Sequence, residues 1–177
     1  MSTRSAAKSS LALRKAASAP VMLEMCSVRV GATLFGVPIT HILEIVGNTR
    51  PQAVPLAPEF VGGLVHYRGD VLTTVSLRQL LGLPAKNPDR EPGNNTQGAD
   101  TRHDILVLES SGGCFGLLVD SVGEVLTVSS ADHEPNPSTL EGRRSALFAG
   151  AYKLPQGLLV MLDPEQLDPM RLGATAA

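Results

Sequence analysis

The sequence predicts a mainly β protein built as two small barrels side by side, and three observations carry that prediction. First, "FGVPITHILEIV" at 35–46 returns as "FGLLVDSVGEVL" at 115–126, in step over twelve positions without a gap. Phe35, Gly36 and Glu44 match Phe115, Gly116 and Glu124, with aliphatic residues facing aliphatic residues between them. Second, the correspondence extends upstream, where 24–36 lies against 104–116, and downstream, where "GLVHYRGDVLTTVSLRQL" from Gly63 lies against "GAYKLPQGLLVMLDPEQL" from Gly150. A repeat of roughly 70 to 85 residues is too long for a solenoid unit and suits a small subdomain. Third, the 17 Gly and 13 Pro are spread as turn punctuation, which fits many short strands better than long helices.

Taken in order, residues 1–20 hold Arg4, Lys8, Arg14 and Lys15 with no acid and no continuous apolar block, which reads as a disordered basic tail and not as a secretory signal. "MLEMCSVRV" alternates loosely, turns at Gly31-Ala32 and continues as "TLFGVP", a β-hairpin. "ITHILEIV" reads as a short helix or irregular crossover. Pro51, Pro55 and Pro58 keep the next stretch extended, and "PEFVGGLVHYRGDVLTTVSL" reads as a turn, a strand, a tight Arg-Gly-Asp corner and a second strand. "LRQLLGLP" is one or two helical turns stopped by Gly82 and Pro84. Residues 84–103 carry no aliphatic side chain larger than Ala and are rich in Pro, Gly, Asn and charge, which marks a flexible linker between the repeats. The second copy follows with a hairpin around 111–113, the crossover "VDSVGEVLTV", a Pro-rich turn and a closing hairpin around "LPQG". Two subdomains, about 21–83 and 104–172, result, with Val37, Ile39 and Ile42 in one core and Leu117, Val119 and Val122 in the other, and chain closure can swap terminal strands between the barrels.

Composition narrows the function. A chain of 177 residues, 43% hydrophobic and 18% charged, belongs with ordinary globular proteins, and no apolar run reaches membrane-spanning length. Outside the basic tail, acids outnumber bases, and aromatic residues make up 3% of the chain with no Trp. That pattern argues against a nucleic-acid-binding body, which needs a basic face and stacking platforms. Cys26 and Cys114 occupy equivalent hairpins without disulfide or zinc spacing, and are expected to be buried, reduced thiols in a cytoplasmic protein.

No catalytic constellation stands out. Asp132, His133 and Glu134 lie beside Pro135 and Pro137, a turn composition more than a metal site, and neither His41 nor His66 has a second His at i+4. No Gly-x-Ser-x-Gly elbow occurs, and the Ser5 to Lys8 spacing falls in the tail. No cofactor and no metal are expected. Glu44 and Glu124 recur at equivalent places as solvated carboxylates or as the charged rim of a binding face. Arg68, at a tight corner between apolar strands, is expected either to pair internally with Glu44 or Glu59 or to face a partner protein.

Four stretches together resemble the CheW-like family, the coupling proteins of bacterial chemosensory arrays: "FGVPITHILEIV", "VPLAPEFVGGLVHYRGDVLTTVSLRQLLG", "ILVLESSGGCFGLLVDSVGEVL" and "AGAYKLPQGLLVMLD". Gly63 followed by Arg68-Gly69, and Gly116 followed by Val119-Asp120, are the most specific parts. The resemblance implies two five-stranded SH3-like barrels related by pseudo-twofold symmetry, with short helices. It implies a non-catalytic adaptor that couples chemoreceptors to a CheA-type histidine kinase, monomeric when alone. Ile42, Glu44 and Gly63 would face the kinase regulatory domain, and Arg68, Val119 and Asp120 the cytoplasmic tip of a methyl-accepting chemoreceptor. The chain departs from the family pattern at His66-Tyr67, Thr73-Thr74 and Ser76. The rival class is a small-ligand sensor or enzyme accessory protein using the groove between the barrels.

Overall fold

The computed structural model describes residues 19–84, 103–137 and 145–176. The expectations of a disordered tail over 1–20 and a flexible linker over 84–103 therefore fall almost wholly outside the described residues. Strands β1 (Met22–Val30) and β2 (Thr33–Pro38) form the first hairpin, turned by Gly31 in the left-handed region at φ 61°. A single 3-10 turn over Ile39–His41 leads into β3 (Ile42–Thr49). Strands β4 (Val61–Tyr67) and β5 (Asp70–Ser76) make the next hairpin and run into the one-turn helix α1 (Leu77–Leu80). There Ser76 caps the first turn by accepting from the Gln79 N–H, a cap the sequence reading did not assign, and Gly82 at φ 67° ends it where the sequence places the stop.

The second copy supplies β6 (His103–Ser110), β7 (Gly113–Val119), β8 (Ser121–Ser129), the two-residue β9 (His133–Glu134), β10 (Phe148–Leu154), β11 (Gly157–Leu162) and α2 (Pro169–Ala176). The expected crossovers are strands for most of their length. Ile42, Ile45 and Val46 in β3, and Val122, Val125 and Val128 in β8, are β-branched, and each strand finds a long-range partner: β3 pairs with β6 and β8 with β1.

Two sheets result, with strand orders β3-β6-β7-β5-β4 and β8-β1-β2-β11-β10-β9. Position by position, β3 corresponds to β8, β6 to β1, β7 to β2, β5 to β11 and β4 to β10. Each sheet takes one hairpin from the other repeat, so 21–83 and 104–172 are units of sequence whose strands are shared between the barrels. Even the one parallel contact in each sheet is duplicated, Thr74 against Gly116 and Met161 against Gly36. The extra strand β9 is matched in the first sheet by a single antiparallel bridge, Gln52 to Leu64.

Packing departs from the expectation of two separate cores. Val37, Leu117 and Val119 are buried in one shared cluster with Phe35, Val75, Leu106, Phe115 and Leu162, and Ile39, Ile42 and Val122 pack partly buried against it. Because each central strand has two faces, one face builds this shared core and the other lines a smaller cluster within its own barrel. Met25, Val128, Tyr152 and Leu159 fill one small cluster, and Leu72, Ile105, Val107 and Leu118 the other. The repeated Phe-Gly now has a cause. The two Phe rings lie in the shared core, while a Cβ on Gly36 would sit 2.9 Å from Leu159 Cδ2, and one on Gly116 2.9 Å from Ile105 Cγ2. Cys26 is buried as expected, but Cys114 is exposed: next to Phe115, which points inward, strand alternation turns its thiol to solvent.

Candidate functional site

The edge strands of the first sheet are β3 and β4, and side chains from both pack on the same small cluster, Val46 from β3 and Val65 and Tyr67 from β4. The barrel therefore closes at a seam between them, and a polar clasp spans it. Tyr67 donates its hydroxyl to Glu44 Oε2 at 2.8 Å, and Arg68 donates to the same oxygen from Nε at 3.1 Å and from Nη2 at 2.7 Å. The guanidinium also lies over the Tyr67 ring, 5.2 Å from its centroid.

All three donors converge on Oε2, so Glu44 keeps Oε1 free of any protein donor among the described residues. The Tyr67 hydroxyl, and after it the Arg68 guanidinium, hold the Glu44 carboxyl below its usual range, and the same hydrogen bond raises the Tyr67 phenol. The pair remains open to solvent, with side-chain exposures of 70% for Arg68 and 39% for Glu44. Of the internal partners expected for Arg68, the structure has Glu44, and the pair remains exposed to solvent. Glu59 lies elsewhere.

Backbone geometry sets this position. Tyr67 pairs with Asp70, which leaves Arg68-Gly69 as a two-residue loop with φ of 51° and 92°, the primed turn that matches strand twist. Gly or Asn adopts the first of these positions more readily than Arg, so the guanidinium is held there against a backbone preference. Along β3, Leu43 and Ile45 on either side of Glu44 are 47% and 48% exposed, and Val71 at the start of β5 is 68% exposed. An exposed charged clasp and exposed aliphatic side chains on a strand whose outer edge is unpaired among the described residues suit protein docking.

The remaining predicted residues separate from this surface. Ile42 is half-buried against the shared core. Gly63 is buried and has a backbone role: it sits at a bulge with φ 128°, and a Cβ there would meet the Gln52 carbonyl oxygen at 2.5 Å. Gly150 repeats this at φ 115°, 2.6 Å from the Glu134 carbonyl oxygen. Val119 is 2% exposed within the shared core, which leaves no side-chain surface for a partner to touch and corrects the expectation that it does so. Asp120 faces inward. It accepts from Arg78 Nε at 3.1 Å and Nη2 at 2.5 Å, and from the Gly31 N–H at 2.8 Å, tying α1 to the β1–β2 turn.

Sequence reasoning missed Arg78 and the donor role of Tyr67. Tyr67 shares the hairpin corner with Arg68, which was a usable signal, whereas the partner of Arg78 lies 42 residues away. A groove of about 600 Å³ runs beside α1, lined by Val54, Pro58, Glu59, Arg78, Leu83 and Leu118 among others. It belongs to the first sheet and its preceding loop. Among the described residues no three His, Cys, Asp or Glu side chains converge as a metal site would require, and no helix is long and apolar enough to cross a membrane.

Two fused SH3-like barrels that present an apolar, charge-clasped strand edge define a binding module of the scaffold class. Residues 24–169 match the model of the CheW-like domain, and the chain belongs to the CheW-like family, whose members are non-catalytic adaptors of chemotaxis signalling. It is 30% identical to chemotaxis protein CheW of Rhizobium meliloti over 146 residues, covering 82% of this chain and 87% of that one. It is 29% identical to chemotaxis protein CheW of Helicobacter pylori, covering 82% and 81%. The crystal structure of the scaffolding protein TtCheW from Thermoanaerobacter tengcongensis shares the fold, with a TM-score of 0.65 at 23% identity, covering 83% of this chain and 92% of that one. The chain is a chemotaxis coupling adaptor.

Proposed function

We propose that this adaptor works in the bacterial cytoplasm, joining the regulatory domain of a CheA-type histidine kinase to the cytoplasmic tip of a methyl-accepting chemoreceptor. The clasp at the first seam is the observation that carries the reading. The kinase domain docks on the β3 side, at Leu43, Glu44 and Ile45, with Ile42 and Gly63 holding the strand frame behind them. The receptor docks on the turn side, at Arg68. Because Glu44 and Arg68 are bonded to each other, a partner that takes up either one alters the other's hydrogen bonds, and the clasp is a physical route for coupling free energy between two partners. Val119 and Asp120 support the frame from inside.

Titration calorimetry with a purified kinase regulatory domain and, separately, a receptor tip fragment tests the assignment. Leu43→Asp with Ile45→Asp should weaken the kinase domain by roughly tenfold or more and leave the receptor fragment nearly unaffected. Arg68→Ala should do the reverse. Unchanged binding of both partners by both variants would remove the seam from the account.

A further inference from the structure

The segment that follows β11 repeats the one that follows β5, and the two are fastened differently. In the register that sets Val75 against Leu162, residues 76–81 correspond to 163–168. Both segments lie on the shared core. Leu77 is buried in it with Leu80 and Leu81 packed against it, and Leu167 is buried in it with Leu172 packed alongside. Where the first copy has Leu81, however, the second has Asp168, and this carboxylate is only 3% exposed. It accepts from the Ser110 hydroxyl and from the Met170 N–H at 2.7 Å, and no cation pairs with it among the described residues. Ser111 completes the fastening: its N–H and its hydroxyl donate to the two oxygens of Glu165 at 2.9 and 2.5 Å. Gly112 leaves the room, since a Cβ there would run into the Asp168 carboxylate. The first segment is thus tied by leucines and the shielded Arg78–Asp120 pair, the second by two carboxylates held on one hairpin turn.

We infer that residues 163–172 form a releasable strap, which unlatches from the β6–β7 turn as a unit while both barrels stay folded. A buried carboxylate without a counter-ion carries a desolvation cost that opening to water recovers, so Asp168 holds the closed state less firmly than a leucine would. The bonds of Glu165 and Asp168 to the rest of the fold end on adjacent serines, so they are lost together. That makes the strap a cooperative unit of low local stability. The turn caps a hairpin of one sheet and the strap runs on from β11 of the other, so the latch is a tie between the barrels. Its release uncovers part of the core that the two repeats share.

Native-state hydrogen exchange of the ¹⁵N-labelled full chain tests this. The amides of Leu167 and Leu172, bonded to the Asp163 and Asp168 carbonyls, should exchange faster than those of β1 and β6 and with little dependence on urea. Ser110→Ala with Ser111→Ala should speed both about tenfold, the effect of losing hydrogen bonds to charged groups. Asp168→Asn removes the charge and keeps the contact, because its amide can donate to Ser110 Oγ while the Ser110 proton turns to the Gly113 carbonyl 3.0 Å away. It should slow both amides about fivefold. Leu167 exchanging with the urea slope of β6 while Leu172 alone is fast would reduce the effect to fraying of α2 and overturn the inference. Strap rates unmoved by the paired serine change in a protein with native dispersion, or faster exchange in Asp168→Asn, would overturn it as well.

Discussion

Replacing Gly63 by Ala should be among the most damaging single-methyl additions available to this protein, and the structure allows its cost to be worked out. A side chain at φ 128° is strained by about 1–2 kcal/mol whatever the space around it. The new Cβ would also lie 2.5 Å from the Gln52 carbonyl oxygen and 2.9 Å from its carbon, and backbone cannot swing aside as a flexible side chain can. Relief requires the 51–52 segment to withdraw from β4. That breaks the two bonds of the bridge, Gln52 N–H to Leu64 O and Leu64 N–H to Gln52 O, both 2.8 Å. At about 1 kcal/mol each these add about 2 kcal/mol, for a total near 3–4 kcal/mol. Gly69→Ala is the control, since φ is 92° but nothing lies within 4 Å of the added methyl, so it should cost only about 1–2 kcal/mol. Urea denaturation with a constant m-value measures both. Equal losses for the two variants, or a Gly63→Ala loss below about 1 kcal/mol, would refute the bulge argument. The result bears on function, because any partner-binding defect at Gly63 is then a consequence of a distorted barrel edge.

Other expectations follow from the same geometry. Glu44 should titrate below its ordinary 4.5, so the clasp's contribution to stability is complete above that pH and is lost as pH falls through the lower folded value. Carboxyl NMR should show the midpoint returning upward in Tyr67→Phe and also in Arg68→Ala; no change in either would contradict the clasp. Arg78→Ala should cost about 1–2 kcal/mol in thermal or urea unfolding, since the pair with Asp120 is largely shielded, with side-chain exposures of 18% and 12%. A neutral result would show the pair to be incidental. In the native protein a thiol reagent should modify Cys114 at once and Cys26 only on unfolding, read by mass spectrometry; early modification of Cys26 would contradict its burial.

The repeat was legible because it is written in residues with local consequences. Phe-Gly marks where a parallel strand crosses closely, and each of the bulge glycines Gly63 and Gly150 avoids a carbonyl oxygen. Gly82 marks the end of α1 for an equally local reason. What stayed hidden is what depends on distant pairing. Chain closure allows strands to swap between barrels, but local alternation says only that 42–49 can be a strand and not that its partner is β6 from the other repeat, so which hairpin is exchanged and the shared core were not visible. At the site, the resemblance assigned Glu44 and Arg68 to different partners and the residues offered Glu44 or Glu59 as an internal partner for Arg68; the choice of Glu44 is made only when the sheet curls and brings β3 to β4. Alternation placed Val119 in the core, where the structure has it, while the resemblance placed Val119 and Asp120 on the receptor face; burial of Val119 and the pairing of Asp120 with Arg78 decide between the two.

Coupling of receptor to kinase through the exposed clasp, as proposed above, is tested most directly in a reconstituted assembly. The direct measurement is kinase autophosphorylation in a reconstituted assembly of receptor-bearing vesicles, CheA-type kinase and this chain, with wild type compared to Arg68→Ala. Arg68→Ala should melt close to the wild type, because its ion pair is exposed and its removal relieves no packing, yet it should fail to place the kinase under receptor control. A variant that melts normally and still gives full receptor control of the kinase would contradict the claim.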